Sequence, residues 1–397
     1  MKIRLGLLPK IAAAIILGIL AGKIMPEEVI RFFATFNGIF GNFINFVIPL
    51  IIIGFIAPGI GQIGKGAGRL LGLSAGVAYG STVAAGLLAY FAASMLLPGF
   101  TEGYTLNKMG NPEEFLQKPF FTVEMPPFID IVGALLLAFT LGIGMASIKG
   151  NALNHVMEDF RQIVEKVIAV VIIPLLPFHI FGIFSNMTFG GQVESIISVF
   201  AKVFAMIIAL HLIMLVLQYL AAGAVSKANP FRLLKSMMPA YFTALGTQSS
   251  AATIPVTLEH VKKTGKADDK VADFTIPLFA TIHLSGSTIT LVSCAMGVML
   301  LSGAEISFQT LFPFILMLGV TMIAAPGVPG GAVMAALGPL KSILGFDATM
   351  VSLIIALYLA QDSFGTAANV TGDGALAIFL SKIGVKKKKP ASAKQAS

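Results

Sequence analysis

Charged side chains are scarce: 12% of the 397 residues, against 56% hydrophobic. A soluble domain carries about 25% charged residues, so a soluble protein is excluded. The mean hydropathy of +0.89 places the chain in a bilayer. Cysteine is nearly absent. The single Cys294 excludes an intramolecular disulfide and a thiolate metal cluster built from one chain. No glycine-rich phosphate loop, zinc-ligand spacing or Ser-His-Asp order is present. An intramembrane protease would need a paired nucleophile and base; nothing supports the imaginable pairing of Ser250 with His283, and an enzyme is the least favoured class. The net charge of +8 does not imply nucleic acid. Lys and Arg sit in short segments between apolar runs, as topology determinants do. Lys2, Arg4 and Lys10 precede an apolar run as in a signal peptide, but more spans follow, so a retained first helix is expected.

Hydrophobic runs of about 20 residues, the length a bilayer requires, predict spans over 7–24, 38–58, 70–98, 128–150, 163–188, 194–223, 271–302 and 349–383. Two other stretches fit less well. Residues 236–258 carry many hydroxyls, and 308–345 is interrupted by Pro326, Gly327, Pro329, Gly330 and Gly331. Irregular backbone at membrane depth is tolerated only beside protein or a wet cavity, so both read as re-entrant helical hairpins. With both termini cytoplasmic and the hairpins entering from opposite sides, the inner segments hold 21 of the 27 Lys and Arg. The second half then repeats a hairpin and a polar-interrupted span twice, inverted, a plan common among secondary transporters. Segment 99–127 reads as an outer loop and the lysine-rich tail as disordered.

The last span holds a polar stripe. Asp362, Thr366, Asn369 and Asp373 are spaced 4, 3 and 4 residues apart, within roughly 60° of one another on a helix. Each carboxylate costs about 2.5–3.5 kcal/mol at the bilayer centre on insertion scales, so the pair should face protein or water and hold something cationic. The two acids are about 16 Å apart along an ideal helix, too far to share one ion. Asp362 with Thr366 suits an ammonium group. Local unwinding near Asn369–Asp373 would add carbonyls to a cation site. The alternative is a structural hydrogen-bond network.

Elsewhere the signals are weaker. Gln248 to Pro255 is a small, hydroxyl-rich run that suits a hairpin tip approached by substrate, though such runs also occur at helix–helix contacts. Ala325 to Gly331 suits a gate or a plain turn. His283, inside span seven, is open to either a functional or a structural reading. His179 and His211 read as structural. Tyr79, Ser81 and Thr82 offer hydroxyls, with packing the favoured reading.

Three segments then carry a resemblance: Ser249 to Thr257, Gly327-Val328-Pro329-Gly330, and Asn369-Val370-Thr371-Gly372-Asp373. In order, separation and topology the chain resembles the glutamate-transporter-type dicarboxylate/amino acid:cation symporters from about residue 7 to 384. The resemblance implies an all-α polytopic membrane protein of eight transmembrane helices plus two re-entrant hairpins, working as an elevator within a homotrimer in the cell membrane. It implies scaffold helices in 1–69 and 128–188, a transport-domain helix and outer loop in 70–127, and helix six in 189–235. The transport core would be 236–385 and the basic tail 386–397. It assigns the substrate amine to Asp362 and its carboxylate to Asn369. Ser249, Ser250, Thr366 and Gly365 would line the pocket, and Val328, Pro329 and Gly330 the gate. A sodium site would draw on Phe279, His283, Asn369 and Asp373.

Two departures redirect the expectation. Members taking acidic amino acids have an arginine where this chain has Gly365. No arginine occurs in spans seven and eight or either hairpin, so a second substrate carboxylate would be buried unpaired at several kcal/mol. A neutral amino acid is expected, its side chain filling the volume left by Gly365. The family motif Asn-Met-Asp-Gly-Thr is here His283-Leu284-Ser285-Gly286-Ser287, so fewer sodium ions are expected, with protons as an alternative through His283. The competing readings are an uncoupled facilitator or channel, and a carrier that keeps acidic substrates.

Overall fold

The structure is a computed structural model that describes residues 7–64, 69–100, 116–191, 193–325 and 329–383. Among these residues every regular element is helical. Six helices are long and apolar enough to cross a membrane. In chain order, α1 is Leu7–Ile24, α2 Glu27–Gly64, α3 Arg69–Phe100 and α4 Ile131–Ser147. Next, α5 (Ala152–Val167) passes through a π turn at Ile168–Ile172 into α6 (Ile173–Phe189), and α7 covers Val193–Ser226. The predicted fifth span thus begins eleven residues earlier, at 152 rather than 163. Its first turns are amphipathic, with Arg161 paired to Glu158 and to Glu165, so they lack the apolar run that marks a span. The π turn sits just before Pro174, whose missing N–H relaxes the α-helical register there.

The second half begins with the short α8 (Pro230–Ser236), started by the Asn229 cap. Helices α9 (Met238–Thr247) and α10 (Ser250–Lys263) pack against each other as a hairpin. Its tip turns on Gln248, at φ 54°, and on Ser249, whose hydroxyl accepts from Ala252 N–H to start α10. Helices α13 (Phe308–Ile323) and α14 (Gly331–Ser342) form a second hairpin that also turns on a left-handed residue, Gly330 at φ 76°. Between the hairpins lie α11 (Asp269–Ile282) and α12 (Ser285–Leu301), two halves of one span broken at His283-Leu284.

The chain ends in α15 (Ala348–Ile383), buried along nearly its whole length. It runs unbroken, which corrects the unwinding expected at Asn369–Asp373. The interruption lies in the neighbouring span, and the side chains of Asn369 and Asp373 reach across to it, so α15 has no need to open. Helix α12 is equally buried and packs along α15, with α3 and α7 beside it. A second group pairs α2 with α4 and α1 with α6. The second hairpin lies on α2, where Gly59 meets Ala324 and Gly338 meets Ile52. Residues 116–123 strap the outside of α2 and α6: Gln117 exchanges bonds with Asn186, Phe120 N–H reaches Thr35, and Asn42 reaches the Val123 carbonyl. Large apolar side chains left exposed on α1, α3, α4 and α7, such as Ile16, Met95, Leu136 and Leu212, suit contact with hydrocarbon.

Candidate functional site

The two hairpin tips and the break in span seven converge on the middle of α15. Their meeting point is a small polar cavity lined by Gln248 and Ser250 from the first hairpin, Leu284 and Ser287 from the break, Ala325 and Ala332 from the second hairpin, and Tyr358, Asp362, Thr366 and Asn369 from α15. Its volume is about 20 Å³, enough for a water molecule or so. Asp362, the one charged group on its wall, is 6% exposed. Its carboxylate accepts the Gly330 N–H at 2.7 Å, so the second hairpin's tip rests on the acid. A charge-assisted bond of this kind ties Gly330 to the acid while leaving the carboxylate an edge on the cavity.

Asn369 stitches α15 to the broken span. Its Oδ1 accepts from the backbone N–H groups of Gly286 (2.8 Å) and Ser287 (3.3 Å), capping α12 from a different helix. Leu284, the residue at the cap position, supplies no side-chain bond of its own. The Nδ2 of Asn369 donates to Ser287 Oγ at 2.9 Å, and Tyr358 O–H donates to the same oxygen at 3.0 Å. The close approach this requires depends on Gly286, whereas a Cβ at Gly365 would find only ordinary contact. A Cβ at Gly286 would lie 2.5 Å from the Gly365 carbonyl oxygen, and one at Gly365 would lie 3.5 Å from Ser287 N. Gly365 therefore faces the α12 backbone rather than lining the cavity.

Asp373 lies four residues further along the stripe, in a separate and drier cluster. Its carboxylate accepts from His283 Nδ1 at 2.8 Å, with both side chains essentially inaccessible. The other ring nitrogen, Nε2, lies 3.0 Å from Ser81 Oγ on α3. Gln218 of α7 donates its amide to Ser81 Oγ (3.0 Å) and to Ser285 Oγ (3.1 Å). That amide nitrogen stands 3.4 Å from Nε2, so both ring nitrogens sit among polar groups of the protein. Two further α7 residues complete the brace. His211 donates to the Gly286 carbonyl at 2.9 Å, and Tyr219 donates to the Thr371 carbonyl at 2.8 Å.

Ser250, Asp362, Thr366 and Asn369 meet at the cavity, with Gly330 bonded to Asp362. Ser249 caps α10, and Pro329 lies in the turn leading to Gly330. Val328, like Pro326 and Gly327, lies outside the described residues. The expected cation ligands present few open oxygens. Asn369 Oδ1 is taken by two N–H groups, an oxygen of Asp373 by His283, and the Phe279 carbonyl by the His283 N–H at 2.9 Å. Sequence reasoning missed Tyr358, Ser287 and Gln218. Tyr358 extends the stripe by the same four-residue step, which is the signal that was available; Gln218 gave none.

His179, read as structural, joins α6 to Ser352 Oγ on α15 (2.9 Å) and to the Asn37 amide on α2 (3.0 Å). These three residues border a larger cavity of about 360 Å³ beneath the 116–122 strap.

Long apolar helices around a buried polar cavity fit a membrane transport protein. The sodium:dicarboxylate symporter family matches residues 7–383, and the chain belongs to it. It is a multi-pass transport protein of a cation-coupled class, not an enzyme. Among its relatives is a serine/threonine transporter, SstT, of Acinetobacter baumannii, 26% identical over 93% of this chain and 95% of that protein. An excitatory amino acid transporter of Caenorhabditis elegans is 29% identical over 64% of this chain, which spans about half of that longer protein. Excitatory amino acid transporter 1 of Ambystoma tigrinum is 27% identical over 63% of this chain and 47% of its own length.

Proposed function

We propose that the protein is a secondary active transporter that imports a neutral amino acid across the cell membrane, driven by a cation. The observation that carries this reading is the Asp362 carboxylate, buried on the wall of the cavity with Gly330 of the second hairpin seated on it. A buried carboxylate in a bilayer calls for a positive partner, and a substrate ammonium supplies one. The α10 N-terminus, with Ser250 and Gln248, and the remaining N–H of Asn369 present donors for the substrate carboxylate. Among the described residues no cationic group lines the cavity, so a side-chain carboxylate would be desolvated without compensation. Neutral substrates follow, and the serine/threonine transporter among the relatives fits that choice.

Sodium is the co-transported ion in this reading, in smaller number than the family's general pattern. The proton alternative rests on the buried His283–Asp373 pair. The eight-span, two-hairpin topology with cytoplasmic termini, the scaffold and transport-core division, the elevator movement and the homotrimer belong to the same proposal. The second hairpin's bed of small residues against α2 is a surface of the kind that sliding requires. Uptake of neutral and acidic amino acids into proteoliposomes, under a sodium gradient and separately under a pH gradient, tests it. Concentrative uptake of a neutral amino acid under one gradient is expected. Uptake that never exceeds equilibrium, or that is confined to acidic substrates, would overturn it.

A further inference from the structure

Tyr358 is among the largest side chains in the protein, and only 1% of it is exposed. It stands one helical turn before Asp362 and two turns before Gly365, so the three share a face of α15. Its hydroxyl meets Ser287 Oγ at 3.0 Å, and that oxygen already accepts from Asn369. With two donors on it, Ser287 keeps its own proton to give, and the Tyr358 oxygen keeps lone pairs to accept with. Both residues line the cavity, so together they offer a donor and an acceptor on one wall. Ala280, Leu284, Ala325 and Ala332 add small or apolar surface, and Gln248, Ser250, Thr366 and Asn369 complete the polar wall, none of them charged. Gly365 adds no depth, because α12 lies against it. The phenol ring is therefore the bulkiest boundary beside the acid that holds the substrate amine.

We infer that Tyr358 determines specificity: its ring caps the size of the substrate side chain, and its hydroxyl, with Ser287, selects a small side chain bearing one hydroxyl over an apolar isostere. The assignment rests on reading the cavity as an amino acid site. A pocket wall built to bond a substrate hydroxyl discriminates against the analogue that leaves it unpaired. The preference expected from one such neutral bond is roughly tenfold.

Calorimetric titration of the purified full-length protein tests this with isosteric pairs, serine against 2-aminobutyrate and threonine against valine, plus alanine and leucine. The wild type should favour each hydroxyl amino acid by about tenfold and exclude leucine. Tyr358→Phe keeps the ring and should bring both ratios close to one. Ser287→Ala should lower the same ratios. Tyr358→Ala should admit leucine. Wild-type ratios retained by Tyr358→Phe, or leucine still excluded by Tyr358→Ala, would overturn the inference. A wild type that binds none of the panel would remove the neutral amino acid reading itself, a different result from intact binding with unchanged ratios.

Discussion

Asp362 and Asp373 are the same residue type on the same face of one helix, 6% and 1% exposed, yet their surroundings differ in kind. Asp362 is met by a backbone N–H at the tip of a hairpin and by the Tyr358 hydroxyl one turn away on its own helix, and borders a cavity. Asp373 is met by an imidazole held in turn by Ser81 of α3 and Gln218 of α7, a clasp drawn from separate helices. A partner on a hairpin tip can leave as a unit and be replaced by a ligand. A partner fixed by several helices answers the carboxylate from within the protein. Burial alone does not distinguish an exchangeable charge from a permanently satisfied one; the mobility of its partner does.

The comparison breaks most directly at Asp362. Replacement by Asn keeps volume and removes charge, and amino acid binding should fall by about 30-fold or more, since truncating a buried charged partner costs roughly 2–5 kcal/mol. Thermal stability should hold, because the Gly330 N–H keeps an acceptor. Titration calorimetry together with a melting curve checks both. Next in size is Gly286→Ala, whose Cβ would press against the Gly365 carbonyl at 2.5 Å. Overpacking of this sort costs about 1–3 kcal/mol, to be read as a lowered melting temperature and weaker binding together.

Gln218→Leu sharpens the contrast. It removes donors to Ser81 and Ser285, each worth about 1 kcal/mol. The cation concentration for half-maximal uptake should shift several-fold with amino acid affinity retained; a change in amino acid affinity alone would show that the two clusters are one site. The smallest effect is expected at the first hairpin. Ser249→Ala removes the cap that accepts from Ala252 N–H, at about 1 kcal/mol, lowering the melting temperature slightly and weakening binding by a few-fold at most.

Much of this arrangement is legible in the sequence because it is periodic or local. The 4-3-4 spacing puts Asp362, Thr366, Asn369 and Asp373 on one face, and the hydroxyl run at Gln248–Thr253 and the glycines near 330 mark the tips. The remainder depends on contacts between elements far apart in the chain. Ser81 and His283 are 202 positions apart, and Gln218 and Ser81 are 137 apart, so no spacing rule joins them. Tyr358 continues the stripe but reads as one more apolar residue. At Gly365 the missing side chain signals free volume or close helix approach equally well; the position faces the α12 backbone with ordinary contact distance left for a Cβ. The break was expected beside Asn369 because polar residues mark irregular backbone. Here they serve a break in the adjacent helix.

The central claim is that Asp362 holds a positively charged group of the substrate. Calorimetric titration of serine against 3-hydroxypropionate, the same molecule without its amine, tests it on the wild type and on Asp362→Asn. Serine should bind the wild type alone, and the amine-free analogue should bind neither protein. Equal binding of the two compounds by the wild type, or serine binding that survives in Asp362→Asn, would contradict it.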